Sequence, residues 1–160
     1  MKKLDFFGAG PKIGLIFLPY LAIAIALTLI IPSVFKFGAG SKNYLLIPGI
    51  VFLGLGLLLY GVTVRLLLSG IKETRLVTNG LYHYCQNPLY AVIMLLIIPG
   101  IGFLMNSWMV LTTPVIGYMA FRKFIDHEYK EMIEVFGEEY KRYKERTPEF
   151  FPFSKNIRGY

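Results

Sequence analysis

Between Lys12 and Phe121 this chain carries one carboxylate, Glu73, and the few basic residues there are spaced so widely that the intervals could cross a bilayer. Residues 13–35 are uncharged, as are residues 43–64 up to Arg65, and no charge falls between residues 76 and 121. A spanning helix needs roughly 20 mainly apolar residues. The first two runs therefore predict spans at about 13–35 and 43–66. The third is too long for one helix and divides into a polar loop and two spans, about 89–105 and 108–124, with Asn106 and Ser107 at the turn. Backbone amides in hydrocarbon must bond within their own segment, so all four runs are expected to be helices. The expected fold is all-α, a polytopic membrane bundle of about four transmembrane helices with a cytoplasmic amphipathic C-terminal helix.

At 160 residues and 55% apolar content, the chain fits a single membrane domain, 1–160. Its water-facing parts are a motif loop, 70–88, and a C-terminal helix and tail, 126–160, which hold eight of the ten acidic residues at or beyond Asp126. Lys2, Lys3, Lys12, Arg65, Lys72, Arg75, Arg122 and Lys123 fall on one side of the expected spans, against Lys36 and Lys42 on the other. That asymmetry places both termini, and the polar stretches with them, on the cytoplasmic side of a multi-pass membrane protein. A net charge of +7 then reads as attraction to anionic lipid, and nucleic acid is not expected as a partner. The start resembles a secretory signal, but the apolar run is too long and lacks a cleavage site, so it reads as a retained anchor. The lone Cys85 allows no internal disulfide. His83, Cys85 and His127 are too sparse for a metal site, and none is predicted.

Pro19, Pro32, Pro48, Pro99 and Pro114 predict kinks or helix starts. Glycines at 49, 54, 56, 61, 100 and 102 suit close helix packing. In the tail, Ile125, Tyr129, Met132, Ile133, Phe136, Tyr140 and Tyr143 recur at three- and four-residue steps and make one apolar stripe, which Gly137 could interrupt. Glu128 projects onto the flank of that stripe, where a carboxylate either stays solvated or faces a cavity. Two readings also stand for the motif loop. Tyr82, Tyr84 and Tyr90 suit an interfacial aromatic belt or a ligand, and Gln86-Asn87-Pro88 suits a helix cap or a binding loop. Phe150 to Phe153 reads as a hydrophobic anchor or a lid.

Two ordered motifs, separated by the expected two-helix hairpin, carry a family resemblance. The first is Gly80-Leu81-Tyr82-His83-Tyr84-Cys85-Gln86-Asn87-Pro88-Leu89-Tyr90. The second comprises Glu128, Met132, Phe136-Gly137-Glu138-Glu139-Tyr140, Tyr143 and Thr147-Pro148-Glu149-Phe150-Phe151-Pro152. Together, over residues 76–152, they resemble the integral-membrane methyltransferases that include isoprenylcysteine carboxyl methyltransferase and the phospholipid N-methyltransferases. In the carboxyl methyltransferases Arg-His usually precedes the proline, where this chain has Gln86-Asn87, and Tyr129 replaces the second glutamate of a pair. Asn87-Pro88-Leu89-Tyr90 is closer to the phospholipid enzymes' pattern, and without the arginine a bidentate clamp for a carboxylate is missing.

The resemblance implies transfer of a methyl group from S-adenosylmethionine to a lipophilic acceptor, isoprenylcysteine carboxylate-like or phospholipid amine-like. Such a step is an in-line displacement in which positioning dominates. It further implies Glu128 as the catalytic residue, and Tyr82, His83, Gln86, Asn87, Tyr90, Glu128 and Tyr140 around the cofactor, with aromatic rings against the adenine or the sulfonium. Expected partners are a lipophilic or lipidated substrate and membrane lipids, and oligomeric state stays open. Two other classes compete: an NADPH-dependent reductase of the membrane sterol and steroid type, and a non-catalytic small helical membrane protein.

Overall fold

In the computed structural model, residues 9–38 and 40–150 are described, and all the regular structure among them is helical apart from one isolated bridge between Lys36 and Ser107. Lys2, Lys3 and the tail from residue 151 onward, with Pro152 and Phe153, lie outside the described residues. Helix α1 runs Gly10–Ile30 and a short turn, α2, Pro32–Phe35. Helix α3 is Ser41–Lys72, so it extends beyond the span expected from charge alone, because Arg65 and Lys72 are tolerated near its polar end. Both α1 and α3 are long and apolar enough to cross a membrane.

The motif loop carries a 3-10 turn, Gly80–His83, and leads into one continuous 17-residue helix made of α4, Pro88–Val92, a π turn, Ile93–Ile97, and α5, Ile98–Leu104. Pro99 accounts for the widened turn: it has no N–H to donate and crowds the carbonyl of Leu95, four residues back. The expected hairpin turn is present. Asn106 takes a positive φ of 56°, which asparagine tolerates better than most residues, and Ser107 caps the next helix by accepting from the Val110 amide at 3.2 Å.

Helix α6 differs from expectation. The span expected at 108–124 and the amphipathic helix expected from residue 126 are one helix, Trp108–Arg146. Nothing between Phe121 and Asp126 breaks hydrogen bonding, so a change of solvent along the chain did not require a change of conformation. The break comes later, at Gly137, whose φ of 54° and ψ of −127° lie outside the helical region. It turns residues 138–146 back toward the motif loop.

Packing follows the small residues. Helix α3 lies against the π turn and α5, where a side chain at Gly100 would run into the Leu53 backbone and one at Gly56 would meet Ile97 and Leu96. Helix α1 packs instead on α6. Two clusters fill the interior. One, near the polar end, gathers Ile13, Leu76, Met94, Phe121, Ile125, Tyr129, Tyr140 and Phe150, so the predicted tail stripe does face inward. The other holds Phe17, Ala24, Ile98 and Val110 further along the bundle. At that far end Thr28 and Ser107 hydroxyls lie 2.7 Å apart, fully buried, tying α1 to the start of α6.

Candidate active site

The two sequence motifs are clasped together by hydrogen bonds from the loop to the tail. Gln86 donates its backbone N–H to the Pro148 carbonyl at 2.8 Å and its side-chain Nε2 to the carbonyls of Lys144 and Thr147. Asn87 donates Nδ2 to the Tyr129 hydroxyl at 2.7 Å and to the Glu149 carbonyl at 2.9 Å. Tyr143 donates its hydroxyl to the Tyr82 carbonyl at 2.6 Å. An Arg122–Glu149 ion pair closes the same joint from the α6 side. Asn87 does occupy the N-cap position of α4 with Pro88 behind it, yet its side chain makes no cap bond, being committed across to α6 and the tail. The turn at Gly137 makes this possible, because it brings Tyr140, Tyr143 and Thr147 back over residues 82–87.

Beneath the clasp is a cavity of about 490 Å³, within the range of small-molecule sites. Tyr82, Gln86, Asn87, Tyr90, Glu128 and Tyr140 all line it. His83, the remaining candidate, is exposed, with its ring edge-on to Tyr84 and outside the cavity wall. Sequence reasoning missed three contributors. Tyr129 and Tyr143 line the cavity while holding the motif loop, and the first turns of α1, with Gly10, Ile13 and Gly14, form its opposite wall. The tyrosines carried a signal, since both lie on the apolar stripe. The α1 wall carried none, because nothing in an uncharged run says which face meets a ligand.

Among the described residues, Glu128 is held at one oxygen. Its Oε2 accepts from the Ala9 backbone N–H at 3.0 Å and, more weakly, from the Tyr90 hydroxyl at 3.5 Å. Ala9 stands at the N-terminal end of α1, where amides lack partners within the helix, so the carboxylate caps α1 from another part of the chain. Among the described residues, no hydrogen bond reaches Oε1. Burial raises the Glu128 pKa above the usual carboxylate range, opposed by the Ala9 and Tyr90 hydrogen bonds and reinforced by nearby Glu131. The phenols of Tyr82, Tyr129, Tyr140 and Tyr143 are likewise pushed up, chiefly by burial, and remain neutral donors. Burial also pushes the Cys85 thiol up to about 11, which leaves it unreactive as a nucleophile.

Among the described residues, the charged side chains on the cavity wall are Glu128, Glu131 and Arg75, and Arg75 pairs with Glu73. Such a site accepts a cation through carboxylate and aromatic contacts, with a large apolar surface beside them. No three His, Cys, Asp or Glu side chains are grouped as metal ligands among the described residues. Gln86 Oε1 is buried without a hydrogen-bond partner, although Nε2 serves two carbonyls.

The family model for phospholipid methyltransferases matches residues 45–139, well over half of the chain. A cobalt-zinc-cadmium resistance protein, CzcN, of Cupriavidus metallidurans is 36% identical over 95 residues, 59% of this chain and 43% of that protein. Protein-S-isoprenylcysteine O-methyltransferases of Mus musculus and Rattus norvegicus are each 30% identical over 90 residues, 52% of this chain and 29% of theirs. The chain thus matches less than half the length of these curated relatives. No solved structure matches.

Proposed function

The chain belongs to the phospholipid methyltransferase family, and on that premise we propose that it is an integral-membrane methyltransferase that uses S-adenosylmethionine and acts on a lipophilic acceptor. The observation that carries the reading is the juxtaposition of Glu128 with the aromatic wall of Tyr82, Tyr90, Tyr129 and Tyr140 around one cavity. The cavity's size and donor set fit that cofactor. Glu128 Oε1 would take its ammonium, the Tyr82 and Tyr90 rings its sulfonium, and the Tyr140 region its adenine. When bound, the cofactor supplies an electrophilic methyl group.

The remaining work falls to the chain itself. The clasp of Gln86 and Asn87 to the tail holds the aromatic wall in register, so that an acceptor atom can approach along the line of displacement. Glu128, with its raised pKa, can also take a proton from an acceptor amine. A lipid amine suits this polar end better than a carboxylate, because Arg75, the arginine among the described wall residues, is already paired with Glu73. The apolar remainder of the cavity would receive the acceptor's hydrocarbon.

In the membrane, α1, α3, the helix 88–104 and the first part of α6 act as four spans, and the clasped motifs lie at the cytoplasmic rim with the chain's basic clusters. The test is thermal. S-adenosylhomocysteine should raise the melting temperature of the detergent-solubilised protein, and the rise should vanish in Glu128→Gln. No rise at millimolar ligand would overturn the reading.

A further inference from the structure

The cavity is deep and has a definite floor. Ala9, at the rim, donates to Glu128, and Phe17 lines the cavity eight residues further along α1, about 12 Å deeper at the helical rise. On α3 the lining runs from Ile71 down to Tyr60, about 16 Å along the helix. Below Phe17 the space is filled: Phe17 joins Ala24, Ile98 and Val110, with Leu21, Ile25, Ile93 and Ile101 packed around them. Toward lipid, the side is less closed. Leu18 and Leu68, both lining residues, are 58% and 37% exposed, and α1 and α3 pack mainly on α6 and on α5, respectively.

Phe17 is where it is because of Gly117. A Cβ at Gly117 would come within 2.9 Å of Phe17 Cδ2 and 3.0 Å of Met94 Cε, closer than carbon atoms pack. With hydrogen there instead, the Phe17 ring lies back against α6 and the π turn, at 8% exposure, and leaves the space above it open.

We propose that Phe17, seated on Gly117 and Met94, is a specificity-determining residue: it ends the slot that receives the acceptor's hydrocarbon chain and so sets which chain lengths react well. The inference deepens the methyltransferase reading and rests on it. A chain that ends at or above the ring is enclosed along its length. A longer one must bend out between α1 and α3, past Leu18 and Leu68, losing enclosure and holding its head group less firmly. Removing the ring lengthens the slot, and adding a methyl at position 117 pushes the ring upward and shortens it.

The experiment compares methyl transfer from labelled S-adenosylmethionine to two acceptor series, lysophosphatidylethanolamines and S-alkylcysteines, each with decyl- to octadecyl-length chains. Wild type should show an optimum in at least one series. Phe17→Ala should raise the long-to-short rate ratio about tenfold, as pocket-size changes of a few methylenes do, and Gly117→Ala should lower it. Phe17→Leu, which disturbs packing less, should shift the ratio in the same direction as Phe17→Ala by a smaller factor. S-adenosylhomocysteine should still stabilise all three variants, since none touches the polar end. Profiles that keep their shape in Phe17→Leu and Gly117→Ala, with every length scaled alike, would overturn the proposal while leaving the methyltransferase reading intact. A wild type that methylates neither series and is not stabilised by S-adenosylhomocysteine would overturn that reading and the inference with it.

Discussion

Replacing Gly137 with alanine isolates the contribution of a single backbone angle to the site. At φ 54° and ψ −127° an L side chain is strained, at a cost of about 1–3 kcal/mol. A Cβ there would meet nothing within 4 Å, so no steric clash or lost contact contributes. Alanine also narrows the unfolded ensemble, which offsets about 0.4–1 kcal/mol, leaving a net destabilisation that ranges from about 0 to 2.6 kcal/mol and centres between about 1 and 2. For a chain of this length each kcal/mol shifts the melting temperature by about 2–4 °C, so a fall of about 2–8 °C is expected. Relieving the strain by straightening α6 would move Tyr140, Tyr143 and Thr147 off the motif loop and undo the bonds of Gln86 and Tyr143. Gly137→Ala should therefore lose the stabilisation given by S-adenosylhomocysteine more than its own stability loss explains. Melting curves with and without ligand, beside the exposed control Glu138→Ala, read both effects. Equal melting temperature and equal ligand response in Gly137→Ala and wild type would show that the backbone angle at Gly137 does not position the site.

Glu128→Gln should melt within a few degrees of wild type, because an amide oxygen can still accept from Ala9, while its affinity for S-adenosylhomocysteine falls at least about tenfold by isothermal titration. Because burial raises the folded-state pKa of Glu128 above its unfolded value, its contribution to stability is full below the unfolded pKa and is lost as pH rises through the folded one. Melting temperature should thus fall over that window relative to Glu128→Gln, and parallel pH profiles would contradict the burial argument. Ser107→Ala removes the cap of α6 and the partner of Thr28, and should cost about 1–3 kcal/mol in denaturant or thermal titration without changing ligand affinity. His83→Ala, outside the cavity, should bind S-adenosylhomocysteine as wild type does, and a tenfold loss would bring His83 back into the site.

Much of the helical framework was legible from charge spacing and period. The helix at 41–72, the turn at Asn106-Ser107, the inward stripe from Ile125 to Tyr143 and the interruption at Gly137 each follow from local chemistry that the fold does not override, whereas the run expected to span 13–35 stops at Ile30 and restarts at Pro32, which cannot donate to the preceding turn. The continuity of α6 did not follow, because a hydropathy boundary near Arg122 looks the same whether the helix ends or passes into water. For the site, the family resemblance together with spacing brought Glu128, Tyr82, Tyr90 and Tyr140 forward as candidates, and they line one cavity. Gln86 and Asn87 were read as ligand groups or a helix cap, yet their side-chain nitrogens serve the tail backbone and Tyr129, partners 42 or more residues distant that no local pattern reveals. The part of Ala9 in holding Glu128 was equally hidden, since a backbone amide has no sequence signature.

If, as proposed, the clasped motifs form a methyl-transfer site fed from the bilayer, a labelled methyl group should pass from the cofactor into lipid. Incubating the purified protein with methyl-labelled S-adenosylmethionine and total membrane lipid, then extracting into organic solvent, tests it most directly. Label should appear in a lipid fraction with wild type and be lost with Glu128→Gln. Label that stays in the aqueous phase with folded wild type, or transfer that continues undiminished in Glu128→Gln, would contradict it.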